Sequence, residues 1–277
     1  MKYIILAIFG LSFYNAGGQQ KSFVPKTGEL FFKQEQVIVN NQKLDSTLKY
    51  KKPMLFSMLK DFAVLQYRES KLPIDTTAIY KNFETNMQPV LDSILDPRNS
   101  SLTPTKHIYE FQDTIIKTQY IKFPKDKNEV TVIDRKTGDI SFFVIKDSIL
   151  EPDLVRLGIR TKESNKNIII KEYKHIRKTI GGYDCFKIVV TKTENLLKAY
   201  NFYNIKVPEE FKDKYQKLLE SIVEKTFYVT RQIECKYHPA TSLSEVLDKY
   251  YPLEVIEKDS FLDGVEKRYT LEKITVK

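Results

Sequence analysis

The sequence KNIIIKEYKHIRKTIGGYDCFKIVVTK, residues 166–192, decides the fold class of this chain. Two strand-like runs, residues 166–176 and 183–192, flank the pair Gly181-Gly182. Two such runs across a Gly-Gly pair are typical of a β-hairpin, because glycine readily adopts the positive φ angles of a tight hairpin turn. The stretch therefore predicts two neighbouring antiparallel strands.

Shorter runs of β-branched and aromatic residues on both sides of this hairpin extend the predicted sheet. Turn signals at residues 124–126 and 136–139 separate some of these runs. The runs are residues 108–111, 114–123, 130–133 and 140–145 before the hairpin, and 226–233, 253–258 and 267–276 after it. We therefore expect a sheet built from consecutive antiparallel strands.

One long helix is predicted within the strand region, near residues 208–224. Pro208 suits the first helical position, and Glu209 and Glu210 complement the positive end of the helix dipole. The apolar residues that form one stripe along it are Phe211, Tyr215, Leu218, Leu219, Ile222 and Val223. Strands, a helix and further strands in this order predict an α+β fold, an antiparallel sheet covered by helices.

The preceding region, residues 19–105, has a mainly helical pattern, and turn-forming residues at 96–106 separate it from residues 106–277. From Asp75 onward, apolar residues recur at steps of three and four, and either Asp75 or Thr76 is a plausible N-cap. Pro89 should kink this helix or begin a new one. Residues 53–67 are apolar almost all round and fit either a buried helix or a pair of strands. Whether this region is a separate domain or caps the sheet stays open.

Composition excludes several classes of protein. Hydrophobic residues make up 42% of the 277 residues, which is too many for a disordered chain. Two cysteines cannot form a disulfide framework or a four-thiolate zinc site. The formal net charge is +9, but no run of five or six like charges occurs, so we expect a solvated basic surface and no nucleic-acid partner.

The first 18 residues are typical of a secretory signal peptide. Lys2 gives a positive start, residues 3–13 are an apolar run, and Ala16, Gly17 and Gly18 are small residues that suit cleavage after Gly18. The apolar run is shorter than a membrane-spanning helix requires, and no later stretch is long enough. We therefore expect an exported protein, periplasmic or extracellular, with no membrane span after cleavage.

No motif for catalysis, a cofactor or a metal is present. The chain lacks a G-x-S-x-G elbow, a P-loop and a G-x-G-x-x-G loop, and His175 has no recognisable nucleophile beside it. The pairs His107/Glu110 and Cys235/His238 have i, i+3 spacing, which places the two side chains on opposite faces of a strand. We predict no catalytic residues, no cofactor and no metal site.

Cys185 and Cys235 are the disulfide candidates. Exported proteins meet an oxidising compartment, so two thiols there often pair. If their strands are neighbours, a bridge would stabilise the fold by about 4 kcal/mol in the chain-entropy description. The alternative is two buried free thiols that act as small hydrophobic residues. The sequence does not decide between these alternatives.

Three segments of the C-terminal part, within residues 166–277, resemble small exported bacterial proteins of the GLPGLI type and their relatives. They are residues 178–187 (KTIGGYDCFK), 227–233 (FYVTRQI) and 251–255 (YPLEV). Those relatives are similar to the LolA/LolB lipoprotein-carrier fold. The resemblance implies a strongly curved antiparallel sheet, an unclosed barrel, with helices that plug an apolar cavity. It also implies a non-enzymatic periplasmic protein that binds a lipid or another hydrophobic segment.

The residues expected to line such a cavity lie on the inward sheet face and the covering helix. They are Phe142, Ile168, Phe186, Val189, Phe211, Tyr215, Leu218, Phe227 and Val229. The first hypothesis is therefore an envelope protein that binds a lipid, another apolar ligand or an envelope protein partner. The alternative is a structural or interaction protein with a filled core, and the least favoured one is an unrecognised hydrolase.

Overall fold

A computed structural model describes residues 21–69, 75–99, 103–123, 126, 128–146, 149–152, 167–195 and 208–277. The strands of this part are β1 (Gly28–Ile38), β2 (Thr105–Gln112), β3 (Ile115–Ile121), β4 (Glu129–Asp134), β5 (Ile140–Lys146), β6 (Ile149–Pro152), β7 (Ile168–Ile180), β8 (Tyr183–Asn195), β9 (Glu220–Thr230), β10 (Tyr251–Asp259) and β11 (Val265–Ile274). Its α-helices are α1 (Asn41–Glu69), α2 (Thr76–Asn82), α3 (Gln88–Leu95), α4 (Glu209–Leu219) and α5 (Ser244–Leu247).

All eleven strands form one antiparallel sheet in the order β6-β5-β4-β3-β2-β1-β11-β10-β9-β8-β7. Strands that follow one another in sequence are neighbours, except β6 and β7, which lie at the two ends of this order. In the middle of the sheet, β1 pairs with both β2 and β11. The sheet is curved and does not close, because β6 and β7 are its two edges among the described residues. The predicted α+β fold with a curved, unclosed antiparallel sheet is confirmed.

The hairpin at the Gly-Gly pair is confirmed as β7 and β8. Gly181 and Gly182 have φ angles of +57° and +85°, which a tight turn between right-twisted strands requires. The pairing has one irregularity, where β7 inserts extra residues between Tyr173 and Arg177. Such a bulge strengthens the local twist of an edge strand and disturbs its outer hydrogen-bonding row.

The structure confirms the predicted N-cap and the predicted effect of Pro89, and it decides between helix and strands for residues 53–67. The Asp75 carboxylate accepts a hydrogen bond from the Ala78 N–H at 3.0 Å and caps α2. A π-helical turn, Phe83–Met87, ends this helix, and α3 begins at Gln88 with Pro89 in its first turn. The apolar stretch 53–67, which fits a helix or strands, lies inside the 29-residue α1.

Two boundaries differ from the predicted ones. The predicted helix over 208–224 ends at Leu219, and β9 begins at Glu220, because the burial of residues 221–229 alternates with the period of two that a strand requires. Residues 19–105 are mainly helical, as expected, but their strand β1 lies at the centre of the sheet. The sheet therefore takes strands from both sides of the turn-rich segment at 96–106.

One face of the sheet, here called the inner face, carries Phe227. Cross-strand pairs place Ile188 and Val255 beside Phe227, and Tyr269 beside Val255, so these side chains share that face. Two apolar cores lie along it, one on β7–β11 and one near β1–β4. A third cluster joins α1 to α4, and its buried members are Met58, Phe62, Phe211, Tyr215, Leu218 and Leu219.

The turn before β11 packs directly against the start of α1. Gly264 has a φ of +89°, and a Cβ there would lie 2.3 Å from the Asn40 carbonyl oxygen and 2.8 Å from the Leu44 nitrogen. Gly182 has a similar φ of +85° but has no atom within 4 Å of a Cβ. The two glycines therefore separate the cost of a steric clash from the cost of a positive φ.

We expect Gly264→Ala to destabilise the fold clearly more than Gly182→Ala. The second variant should cost about 1 kcal/mol, the strain of alanine in the left-handed region. The first adds a clash with backbone atoms and should exceed it by about 2 kcal/mol or more. Urea unfolding of both variants measures the difference, and equal losses would contradict the close packing of this turn on α1.

Candidate apolar ligand site

The inner face is filled over one half of the sheet. Residues 231–250, here called the plug, cross the face between β9 and β10 and include α5. Their side chains Leu243, Val246 and Tyr250 are buried against Phe186 and Phe227 in one core cluster. The space that a curved sheet would offer an apolar ligand is occupied here by the chain itself.

Polar contacts hold the plug to the sheet. The buried ammonium of Lys225 on β9 donates to the Ala240 carbonyl at 2.9 Å and pairs with the Glu257 carboxylate on β10 at 3.1 Å. The Tyr250 hydroxyl donates to Glu172 Oε1 on β7 at 2.9 Å. Polar contacts to β9 and β7 fix the plug in place, so this half of the inner face is a closed core.

Beyond the plug, no described helix covers the end of the inner face on β3–β6. This end, here called the wing surface, carries Tyr120, Thr131, Phe142, Val144 and Ile149 from β3–β6. Cross-strand pairing places Phe142 beside Thr131, and Ile149 shares this face through its pair Lys146. Tyr120 is 51% exposed and Ile149 is 64% exposed, and none of the described helices packs extensively against β3–β6. The wing surface is thus a mainly apolar strip on the inner face.

His107 on β2 lies between the filled half and the wing surface. Its Nε2 is 2.8 Å from Gln34 Oε1, and its ring packs edge to face with Tyr120 and at a tilt with Tyr269, at centroid distances of 5.0 and 5.8 Å. Burial, and secondarily the charge of Lys267, lowers the pKa of His107 to about 4. The imidazole is therefore neutral near pH 7 and acts as a packed polar group.

We expect acid to weaken the fold through His107. The unfolded chain binds this proton with a pKa near 6.5 and the folded chain only near 4, so stability falls as the pH drops from about 6.5 to 4. The largest contribution is about 3 kcal/mol. His107→Gln should remove most of this loss when unfolding is measured across that range, whereas the same change at the exposed His175 should retain it. An unchanged acid loss in His107→Gln would contradict the assignment.

Most of the residues that the sequence predicts for the cavity lie in closed cores. Phe186, Phe227 and Val229 are buried under the plug, and Ile168 packs at the margin of the same cluster. They lie on the inner face, but they line no open space among the described residues.

The three predicted helix residues lie elsewhere. Phe211, Tyr215 and Leu218 are buried between α4 and α1 and do not join the inner-face core. The Tyr215 hydroxyl donates to Asp61 Oδ2 on α1 at 2.6 Å. The stripe on α4 thus covers another helix, so these residues hold the helical layer together.

The last two predicted residues, Val189 and Phe142, lie apart from the other seven. Val189 pairs with Thr226 and lies on the face opposite to Phe186, because residues three apart in a strand point to opposite sides. Phe142 lies on the wing surface. Sequence reasoning missed its neighbours Tyr120, Val144 and Ile149, although the alternation in residues 114–123 and 140–145 is the signal that identifies the first two.

Cys185 and Cys235 are both buried free thiols in the same core cluster. Burial, and then the nearby Asp184 charge, raises the pKa of Cys185 to about 12, so its thiol is unreactive near pH 7. The structure contains no bridge between them, and the sequence left both alternatives open; a loss of two hydrogens in the intact mass is the measurement that would detect a disulfide.

The pairs considered for metal binding are separated or engaged. His107 lies on the inner face, while Glu110 pairs with Glu29 on the outer one. His238 Nδ1 accepts the Ala240 N–H at 3.0 Å. No group of three His, Cys, Asp or Glu side chains that could hold a metal ion occurs within the part of the chain that the structure describes.

Comparison with known proteins identifies no family. No protein family matches the sequence, and no curated protein matches it. One solved structure similar to the chain is described as an outer membrane lipoprotein-sorting protein domain from Vibrio parahaemolyticus, at 7% identity and a TM-score of 0.22. The match covers 65% of this chain and 80% of that one. No described helix is long and apolar enough to span a bilayer, and the predicted signal peptide lies outside the described residues.

Proposed function

We propose that this chain is an exported, non-enzymatic protein of the cell envelope that binds the apolar part of a lipid on its wing surface. The observation that carries the proposal is the uncovered end of the inner face, where Tyr120 and Ile149 are more than half exposed. Exposed apolar residues grouped on one concave side of a sheet are typical of a binding surface.

The chemistry of the wing surface suits an acyl chain. Phe142 and Val144 provide apolar area, and Thr131 adds a methyl group between strands. At its margin Lys146 and Glu151 form an ion pair at 2.8 Å, and Glu129 on β4 lies beside Val144 on the same face. A flexible hydrocarbon that covers this strip would gain free energy in proportion to the apolar area it removes from water.

A fluorescent long-chain fatty acid tests the proposal by titration. We expect saturable binding to the wild-type chain, weakened about tenfold or more by Tyr120→Asp or Ile149→Asp, because each places a charge against the hydrocarbon. Both side chains are largely exposed, so the fold should tolerate these changes.

Phe123→Asp is the matched control. Phe123 is also an exposed aromatic residue, 44% exposed, but it lies just beyond the end of β3. This variant should bind the fatty acid like the wild type. Absence of binding, or the same affinity in all four proteins, would reject the wing surface as an acyl-chain site.

A purely structural or interaction protein of the envelope is the second candidate. The closed core under the plug favours it, since Leu243, Val246 and Tyr250 occupy the space that a carrier would keep open. In that case the wing surface would contact an envelope protein partner, and free fatty acid would not bind saturably.

A further inference from the structure

A second concave feature lies on the other side of the plug from the closed core. It is a cleft of about 630 Å³ between the plug, the segment before β1 and the ends of β3 and β4. Ile116 on β3 and Arg135 after β4 form one wall, and Arg231, Tyr237 and Lys249 from the plug form the other. The cleft is separate from the wing surface, which lies at the opposite ends of β3 and β4.

The described lining of this cleft is mainly basic. Its cations are Arg135, Arg231, Lys236 and Lys249, and its carboxylates are Glu234 and Asp248. Lys236 and Asp248 pair with each other at 3.4 Å. Three cations from two separate segments then face a single carboxylate, so the cleft has an excess of positive charge.

Arg231 is held by aromatic rings. Its guanidinium carbon lies 5.6 Å from the centre of the Phe186 ring and 5.5 Å from that of Tyr250. The two rings meet edge to face at 5.2 Å, which fixes both. Stacking on rings orients the guanidinium but uses none of its N–H donors, so the planar fork stays available to an oxyanion.

The nearby carboxylate on β7 is already engaged. Glu172 accepts the Tyr250 hydroxyl at 2.9 Å and pairs with Lys174 at 3.0 Å. Among the described residues, no ion pair of the Arg231 guanidinium within 4 Å is present, although its charge helps to lower the pKa of Glu172. Glu172 is thus near Arg231 but is bonded to Tyr250 and Lys174 and forms no direct ion pair with the guanidinium.

Arg135 is fixed from the opposite wall. Its Nη1 donates to the Pro25 carbonyl at 2.6 Å and to the Asp113 carbonyl at 3.1 Å, and the guanidinium lies over Phe111. These bonds occupy one nitrogen and leave Nε and Nη2 without an acceptor in the described part of the chain. Backbone contacts therefore pre-organise this side chain, which lowers the entropy cost of binding an anion.

We propose that this cleft binds a phosphate group, with Arg231 as its main ligand and with Arg135 and Lys249 as supporting cations. Phosphate presents several oxygens at up to two negative charges, which suits forked guanidinium donors and a nearby ammonium. A free phosphate and the phosphate of a lipid headgroup share this chemistry. The inference does not depend on acyl-chain binding and holds even if the wing surface binds nothing.

Calorimetric titration with inorganic phosphate, against sodium chloride of the same ionic strength, tests the free source. Sedimentation with phosphatidylcholine vesicles, with and without phosphatidic acid, tests the headgroup source. We expect binding in at least one of these arms, weakened about tenfold or more by Arg231→Gln. Lys171→Gln removes the same charge from an exposed site on β7, outside the cleft, and should bind like the wild type.

Two further variants separate binding from folding. Lys249→Gln changes an exposed side chain and should weaken phosphate binding without lowering the unfolding temperature. Arg231→Lys keeps the charge but loses the planar fork, so it should also bind more weakly. Equal weakening by Arg231→Gln and Lys171→Gln would show a diffuse basic surface and overturn the site. Absence of phosphate binding in both arms would overturn it as well.

Discussion

Replacing Phe227 with alanine should destabilise the fold by about 4 kcal/mol, the loss expected when a fully buried aromatic side chain leaves a cavity. Phe227 is 0% exposed and packs on β9 beneath the plug. The surrounding strands are hydrogen-bonded on both sides, so they cannot collapse into the space. The variant reports directly on whether this half of the inner face is filled.

Ile222→Ala on the same strand is the control. Ile222 is 55% exposed and lies on the other side of β9 from Phe227, five residues away. Its truncation should cost only about 0.5 kcal/mol. Urea unfolding of the two variants gives both values. A loss below about 1.5 kcal/mol for Phe227→Ala would show that its surroundings are open, contrary to a closed core.

Breaking the buried ion pair beneath the plug should have the next largest effect. Lys225 is buried on β9, and Glu257 on β10 supplies the carboxylate at 3.1 Å. Glu257→Leu removes that carboxylate and leaves the ammonium with the Ala240 carbonyl but without this counter-charge. We expect a loss of about 3 kcal/mol, since removing the carboxylate from a buried ion pair strongly destabilises a fold.

The double variant Lys225→Met/Glu257→Leu should be more stable than Glu257→Leu alone. It removes both charges together, and apolar replacements of a buried ion pair are often neutral or stabilising. A double-mutant cycle by chemical denaturation should give a coupling of about 1–3 kcal/mol between the two sites. If the double variant is as unstable as Glu257→Leu, the pair does not carry the contact between the sheet and the plug.

Local patterns were sufficient to predict much of the sheet. Gly181-Gly182 between two β-branched runs identified the hairpin, because both φ angles are positive and only glycine adopts them without strain. The strand β1 was not predicted. Its inner-face positions include Gln34 and Gln36, so the apolar alternation of an ordinary strand is missing, although β1 lies between β2 and β11.

The candidate site was harder to predict, because it depends on which distant segment covers each part of the sheet. The alternation of apolar and polar residues identifies Phe186 and Phe227 as inner-face residues. It does not show that Leu243 and Val246 pack against them and fill the inner side of the sheet. The helix that carries Val246, which begins just after Leu243, has only four positions, too few for a periodic pattern. Conversely, nothing in the sequence of β3–β6 shows that their inner face stays uncovered.

The wing surface consists of residues that the sequence analysis did not place together. Phe142 was expected in the cavity, but Tyr120 and Ile149 belong to different strands and meet it only through the pairing of β3–β6. Register across several strands is a tertiary property, so short runs do not predict it. That no described helix covers this face is therefore a structural finding, and ligand binding there is the hypothesis it supports.

Native mass spectrometry of the chain from residue 19 onward, purified from a periplasmic extract without detergent, tests the central claim most directly. We predict a stoichiometric lipid adduct on the wild-type protein that is released by solvent extraction and is lost in the Tyr120→Asp variant but kept in Phe123→Asp. A clean wild-type mass, or an adduct that persists equally in both variants, would contradict an apolar ligand site on the wing surface.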